Sequence, residues 1–267
     1  MSKGRRWLGR NAIRIYAVVA FAYLFVPVAY TLVYSFNDSG KSNIAWRGFT
    51  LDKWKNPCGA PDVCPALGNS LKIGLLATLI ATVLGTMIAF ALARHRFRGR
   101  TATNLTIFLP MATPEVVMGS SLLAMFVALG FSGVLGFVTI VIAHVLFCLS
   151  FVVVTVKARL TGMDSRLEQA AMDLYANEWQ TFRLVTLPLA MPGVVAAALL
   201  SFSLSFDDFI VTNFTAGQDV TFPLYVYGSK LKDFPAQNFV IGSLMFFISF
   251  ILVIGAEIWR RTRPQYR

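Results

Sequence analysis

Six apolar stretches, each near the length that crosses a bilayer as a helix, divide this chain at residues 15–36, 70–93, 105–129, 134–156, 186–212 and 239–259. A helix rises about 1.5 Å per residue, so roughly 20 apolar residues span a hydrocarbon core about 30 Å thick. Water is absent there, and a helix satisfies its backbone polar groups within its own segment. Hydrophobic residues make up 56% of the 267 and charged residues only 14%, more apolar surface than a soluble fold of this size uses. The expectation is an all-α membrane protein, six transmembrane helices in a single domain of residues 1–267. The longest connections, 37–69, 157–185 and 213–238, leave no room for a soluble catalytic module.

The formal net charge of +11 invites a nucleic-acid partner, and its distribution argues against one. Seventeen Lys and Arg fall before the first stretch, in 94–100, in 157–183 and after Trp259, while the opposite connections hold six. Basic residues accumulate on the cytoplasmic side of membrane proteins, so both termini and the 157–185 connection are expected there. The first apolar stretch follows a basic segment, as in a secretory signal. At about 22 residues it is too long for a signal core, and no small-x-small cleavage site follows, so it is expected to remain as the first helix.

Cys58 and Cys64 lie in the outward loop NPCGAPDVCP. That side permits oxidation, and a disulfide between them is expected. No His lies nearby to complete a zinc site, and Cys148 in the fourth stretch reads as a small buried apolar residue. Gly40-Lys41-Ser42 ends like a nucleotide-binding loop, but Ser35 stands where the first glycine is needed. ATP hydrolysis by that route is not expected, nor is a metal. His144 in the fourth stretch is expected to make a hydrogen-bonded contact between helices.

Three acids interrupt the apolar stretches: Glu115 in the third, Asp207 and Asp208 in the fifth. An ionised carboxylate at mid-bilayer is unfavourable by roughly 2.5–3.5 kcal/mol on insertion scales, so such groups face a bundle interior, a partner or a water-filled path. On continuous helices, Glu115 would lie ~15 Å from the inner end of its span and Asp207 ~22 Å beyond Pro192. Neighbours on one helix point about 100° apart, so Asp207 and Asp208 are not expected to share one lumen. Pairing with Lys72 or with a backbone donor is the competing reading. Pro110, Pro114, Pro188 and Pro192 are expected to kink the third and fifth helices.

Between the fourth and fifth stretches runs an amphipathic segment, LEQAAMDLYANEWQTFRLVTLPLAMPG, with apolar residues at Leu167, Ala171, Leu174 and Phe182 and acids at Asp164, Glu168, Asp173 and Glu178. Its core, about residues 164–183, resembles the EAA loop of ABC-transporter permeases, Glu-Ala-Ala, three residues, Gly, then Leu-Pro. Gln169-Ala170-Ala171, Tyr175 and Leu187-Pro188 fall on that pattern, with Gln169 in place of Glu and Tyr175 in place of Gly. The resemblance implies a cytoplasmic coupling helix that meets the ATPase through Glu168, Gln169, Ala170, Ala171, Leu174 and Tyr175. Tyr suits a left-handed reversal poorly, so Asn177 is expected to make the turn and the helix to end later than usual.

Thr113-Pro114-Glu115-Val116-Val117-Met118, Ser203-Leu204-Ser205-Phe206-Asp207-Asp208 and Gly48-Phe49-Thr50-Leu51-Asp52-Lys53-Trp54 resemble segments of the spermidine/putrescine permease family. The likeness implies a type I ABC importer permease fold and substrate-facing roles for Glu115, Ser205, Asp207, Asp208 and Trp54. It also implies a bacterial cytoplasmic-membrane location, a second permease subunit, two ATPase subunits carrying ATP and Mg, and an extracytoplasmic binding protein. This chain itself would carry no cofactor. The rival expectations are an importer of the same class for another solute, such as ferric iron, and an ion-coupled secondary transporter.

Overall fold

The computed structural model describes residues 3–262 apart from 41, 96 and 232. Lys41, Arg96, Lys232, Arg263 and Arg267, counted in the charge asymmetry, lie outside the described residues. In chain order the helices are α1 (Lys3–Tyr34), α2 (Asp52–Lys55), α3 (Val63–Arg94), α4 (Arg100–Ala112), α5 (Glu115–Ala128), α6 (Phe137–Thr161), α7 (Arg166–Asp173), α8 (Glu178–Thr181), α9 (Leu187–Asp207), α10 (Ile210–Thr215), α11 (Phe222–Ser229) and α12 (Ala236–Thr262). A π-helical turn, Phe182–Thr186, joins α8 to α9. Extended pairing among the described residues is one isolated bridge, Asn37 with Phe49. Among the described residues five helical segments are long and apolar enough to cross a membrane, and α4 with α5, bent by 107°, makes a sixth if the pair is one broken span.

The bend falls at Pro114, in the stretch expected to kink, while a second break, after Asp207, corrects the helix expected to run on through 186–212. Proline disfavours the α conformation in the residue before it. Thr113 accordingly sits at φ −81°, ψ 131°, and Pro114, lacking an N–H, caps the new helix. Thr113 closes α4 by donating its N–H and its hydroxyl to the Leu109 carbonyl, at 2.9 and 2.7 Å. The fifth stretch runs as a helix only to Asp207; Asp208 is extended, at φ −64°, ψ 124°, before α10 begins.

The chain packs as two compact units, Met1–Cys64 with Val226–Arg267, and Pro65–Tyr225. In the first, α1 and α12 meet through Phe239, whose ring lies 5.9 Å from both Tyr30 and Tyr34. Buried Asn37 organises the following loop, donating to Asn43 Oδ1 at 2.6 Å and accepting from the Arg47 N–H at 2.8 Å. Cys58 and Cys64 form a disulfide, their Cα atoms 5.4 Å apart.

In the second unit α6 is the centre. Just over half (56%) of its most apolar window is buried inside the chain, against none of that in α1. Residues of α3, α6 and α9 form the main core, among them Leu92, Val152, Val156, Ala190 and Ala197. The N-terminus of α6 is held by the 216–219 turn: Asp219 accepts from the Phe137 N–H, and Thr139 donates its hydroxyl to the Thr215 carbonyl at 2.7 Å. Gly217 makes that contact possible. It sits at φ 55°, and a Cβ there would fall 2.4 Å from the Leu135 carbonyl oxygen. Gly217→Ala combines a left-handed penalty with backbone overlap and is expected to destabilise by about 3 kcal/mol, read as a lower thermal midpoint of the purified chain.

Candidate functional site

The two helix breaks of the second unit lie beside the acids that the sequence singled out, and they treat those acids differently. Glu115 is the first residue of α5 and is exposed. Asp207 is the last residue of α9, also exposed. Because α4 and α5 are not collinear, the ~15 Å depth for Glu115 no longer applies. Behind these acids α5 packs on α10, where Gly119 leaves no room for a side chain: a Cβ would meet the Phe214 ring at 2.6 Å.

Asp208 turns inward. It is 8% exposed, and its carboxylate accepts from the Thr212 N–H and hydroxyl, both at 2.8 Å, and from the Val211 N–H at 3.4 Å. His144 Nε2 lies 3.3 Å away. The Thr212 hydroxyl also lies 2.9 Å from His144 Nε2, and the other ring nitrogen, Nδ1, lies 2.7 Å from the Ser205 hydroxyl, so the imidazole bridges α9 and α10. Every member of the Ser205, His144, Thr212, Asp208 chain is buried and bonded.

This arrangement separates the residues that the resemblance grouped. Ser205 and Asp208 are buried and hold the α9–α10 break against α6 through His144 and Thr212, whereas Glu115 and Asp207 are exposed. The separation of the two aspartates comes from the break in the helix and not from a 100° turn along one. Lys72 makes no ion pair among the described residues. Trp54 belongs to the other unit, half-buried and stacked on Phe36 at 5.2 Å, with Phe247 at 6.5 Å. The role of Thr212 was missed, although polar residues at 201, 205, 208 and 212 recur close to one helical turn apart in an apolar stretch.

The 164–183 segment forms α7 and α8. Glu168 is tied into its own unit, accepting from Arg94 Nη2 at 2.7 Å and from the Thr186 hydroxyl at 3.0 Å. Phe182 adds an anchor, its ring 5.3 Å from Phe90 and 5.6 Å from Trp179. Ala171 is half-buried, and Gln169, Ala170, Leu174 and Tyr175 are exposed. The segment therefore presents a bare face, including Met172 and Trp179, on a helix fastened from behind.

The end of α7 overturns the expectation for Asn177. Tyr175 itself takes the left-handed position, at φ 63°. Its N–H donates to the Met172 carbonyl at 2.9 Å and the Ala176 N–H to the Ala171 carbonyl at 3.1 Å, the bond pair of a Schellman cap. The helix ends at Asp173, not later. Asn177 instead caps α8 through a reciprocal pair with Gln180, at 2.8 and 2.9 Å. Two carbonyls gaining partners outweigh a conformational penalty of roughly 1–2 kcal/mol for Tyr. Tyr175→Gly is expected to raise the thermal midpoint by a few degrees, since the Tyr175 side chain is 98% exposed and loses no packing.

Residues 81–260 match the family described as binding-protein-dependent transport system inner membrane component. The chain belongs to that family. It is thus an integral inner-membrane transport component and not an enzyme. It is 36% identical, over 96% of its length and 98% of the relative, to the spermidine/putrescine transport system permease protein PotC of Haemophilus influenzae. Identity to the putrescine transport system permease protein PotI of Escherichia coli K12 is 37%, over 91% of this chain and 87% of that protein. Its fold is that of a chain in a bacterial ABC transporter that imports the acidic polysaccharide alginate, with TM-score 0.66, 16% identity and 99% of each chain covered.

Proposed function

We propose that this chain is one permease subunit of an ATP-driven, binding-protein-dependent importer of polyamines, spermidine or putrescine, in a bacterial cytoplasmic membrane. The observation that carries this reading is the near full-length likeness to permeases named for those substrates. The site chemistry supports it. Asp207 stands at the C-terminal end of α9, where unpaired carbonyls carry partial negative charge, and Glu115 opens α5 at the other helix break. Discontinuous helices with ligand groups at their broken ends are a recurrent way to bind ions inside a membrane. Separated carboxylates lower the barrier for each ammonium of a flexible polycation crossing a low-dielectric passage.

The charge asymmetry supports cytoplasmic termini and a cytoplasmic α7. Each half of the assembly would then bring one permease and one ATPase, ATP and Mg binding on the ATPases, with a binding protein delivering substrate from outside. The exposed face of α7 would meet the ATPase. Nucleotide-driven closure there would reach α3 through Arg94 and the start of α9 through Thr186, because Glu168 bonds both. Reconstituting the complex in proteoliposomes and measuring uptake of labelled spermidine, putrescine and ferric iron tests the reading. ATP-dependent polyamine uptake is expected. Iron uptake without polyamine uptake, or uptake driven by an ion gradient with no ATPase subunit present, would refute it.

A further inference from the structure

A cavity of about 440 Å³ opens between α4 and the C-terminal half of α6, walled by Ile107, Phe108, Val153 and Val154, with Asn104 and Lys157 as its polar end. That volume is in the range of small-molecule sites. The walls offer nothing to water or a free ion. The polar end is a different matter. Lys157 Nζ donates to Asn104 Oδ1 at 2.6 Å, which uses one of three ammonium protons. Among the described residues the paired acids Asp52, Glu168 and Asp208 are taken by Lys55, Arg94 and His144, and none pairs with the half-buried Lys157.

We infer that this groove binds an anionic glycerophospholipid, an acyl chain along the apolar walls and the phosphate on Lys157 with the Asn104 amide. Charge complementarity selects the occupant: the walls call for hydrocarbon and the lysine for a phosphate that carries no cation of its own. Location agrees, resting on the topology proposed above. The groove lies at the end of α6 that leads into α7, on the cytoplasmic side, where basic pockets between transmembrane helices meet lipid headgroups. A helix of the second permease is the competing occupant, and it would have to bring an acid to Lys157.

The test uses the assembled complex in nanodiscs of phosphatidylethanolamine and phosphatidylglycerol at 4:1, with retained lipid counted by native mass spectrometry. Lys157→Gln keeps a donor for Asn104 and removes the charge; it should lower retained phosphatidylglycerol about fivefold, the effect of one lysine at an anionic surface. Val154→Trp fills the slot without changing charge and should abolish retention in the same assay. A photoreactive residue at Phe108 should label lipid. Equal retention by the parent and both variants overturns the proposal, as does a Phe108 crosslink to the second permease in place of lipid. A cysteine at Gly162, labelled from one side of sealed vesicles, reports topology separately, because Cys148 is buried and the other two cysteines are bonded.

Discussion

Replacing His144 with Leu is expected to lower the thermal midpoint of the purified complex by roughly 10 °C. The imidazole is 1% exposed and bonds groups on two other elements, Ser205 on α9 and Thr212 on α10. Leucine fills similar space but leaves both hydroxyls without their partner and moves Asp208 from beside a polar ring to beside a methyl group. Each buried hydroxyl that loses its partner is unfavourable by about 1–3 kcal/mol, and each kcal/mol corresponds to about 2–4 °C in a chain of this size. His144→Gln, which supplies one donor and one acceptor, should recover part of the loss. Adding Ser205→Ala to His144→Leu should cost little more, since the Ser205 bond is already gone. A His144→Leu complex melting within about 2 °C of the parent would show that the break is held by something else.

Neutralising the two adjacent aspartates is expected to give opposite defects. Asp207→Asn should assemble at parental yield and import polyamine at least tenfold more slowly. A cation 4 Å from a carboxylate gains about 4 kcal/mol at an effective dielectric of 20, and losing a third of that is already tenfold. Asp208→Asn should lower the yield of complex instead. An amide offers one acceptor oxygen where the carboxylate now serves the Val211 N–H, the Thr212 N–H and the Thr212 hydroxyl, and its NH₂ would face one of those donors. Leaving a buried donor unsatisfied is unfavourable by about 1–3 kcal/mol. Glu115→Gln should follow Asp207→Asn, with slowed uptake and intact assembly. Uptake and complex yield, measured together for each variant, decide the matter. Parental uptake by both Asp207→Asn and Glu115→Gln would remove these acids from the substrate path.

The membrane class, the helical spans and the loop carrying α7 were legible from sequence because they are one-dimensional properties. An apolar run of bilayer length needs no tertiary contact to declare itself, and Gln169-Ala170-Ala171 to Leu187-Pro188 is a matter of spacing. Pro114 likewise announced an interruption, since proline acts on its own neighbours. The angle of that interruption, 107°, was not legible, because it depends on what α4 and α5 each pack against.

Nor could sequence separate Asp207 from Asp208. Both are the same residue in the same apolar stretch. What distinguishes them is a histidine more than sixty positions earlier and a threonine four positions later, brought together only when α6, α9 and α10 pack. Tyr175 shows the same limit at short range. Local preference argued against a left-handed tyrosine, and the hydrogen bonds closing α7 outweighed it. Chain chemistry by itself determined where this protein can live and which segments cross; tertiary structure alone decided which carboxylate is bonded within the fold and which is left exposed, because burial and donor geometry are properties of the packed chain.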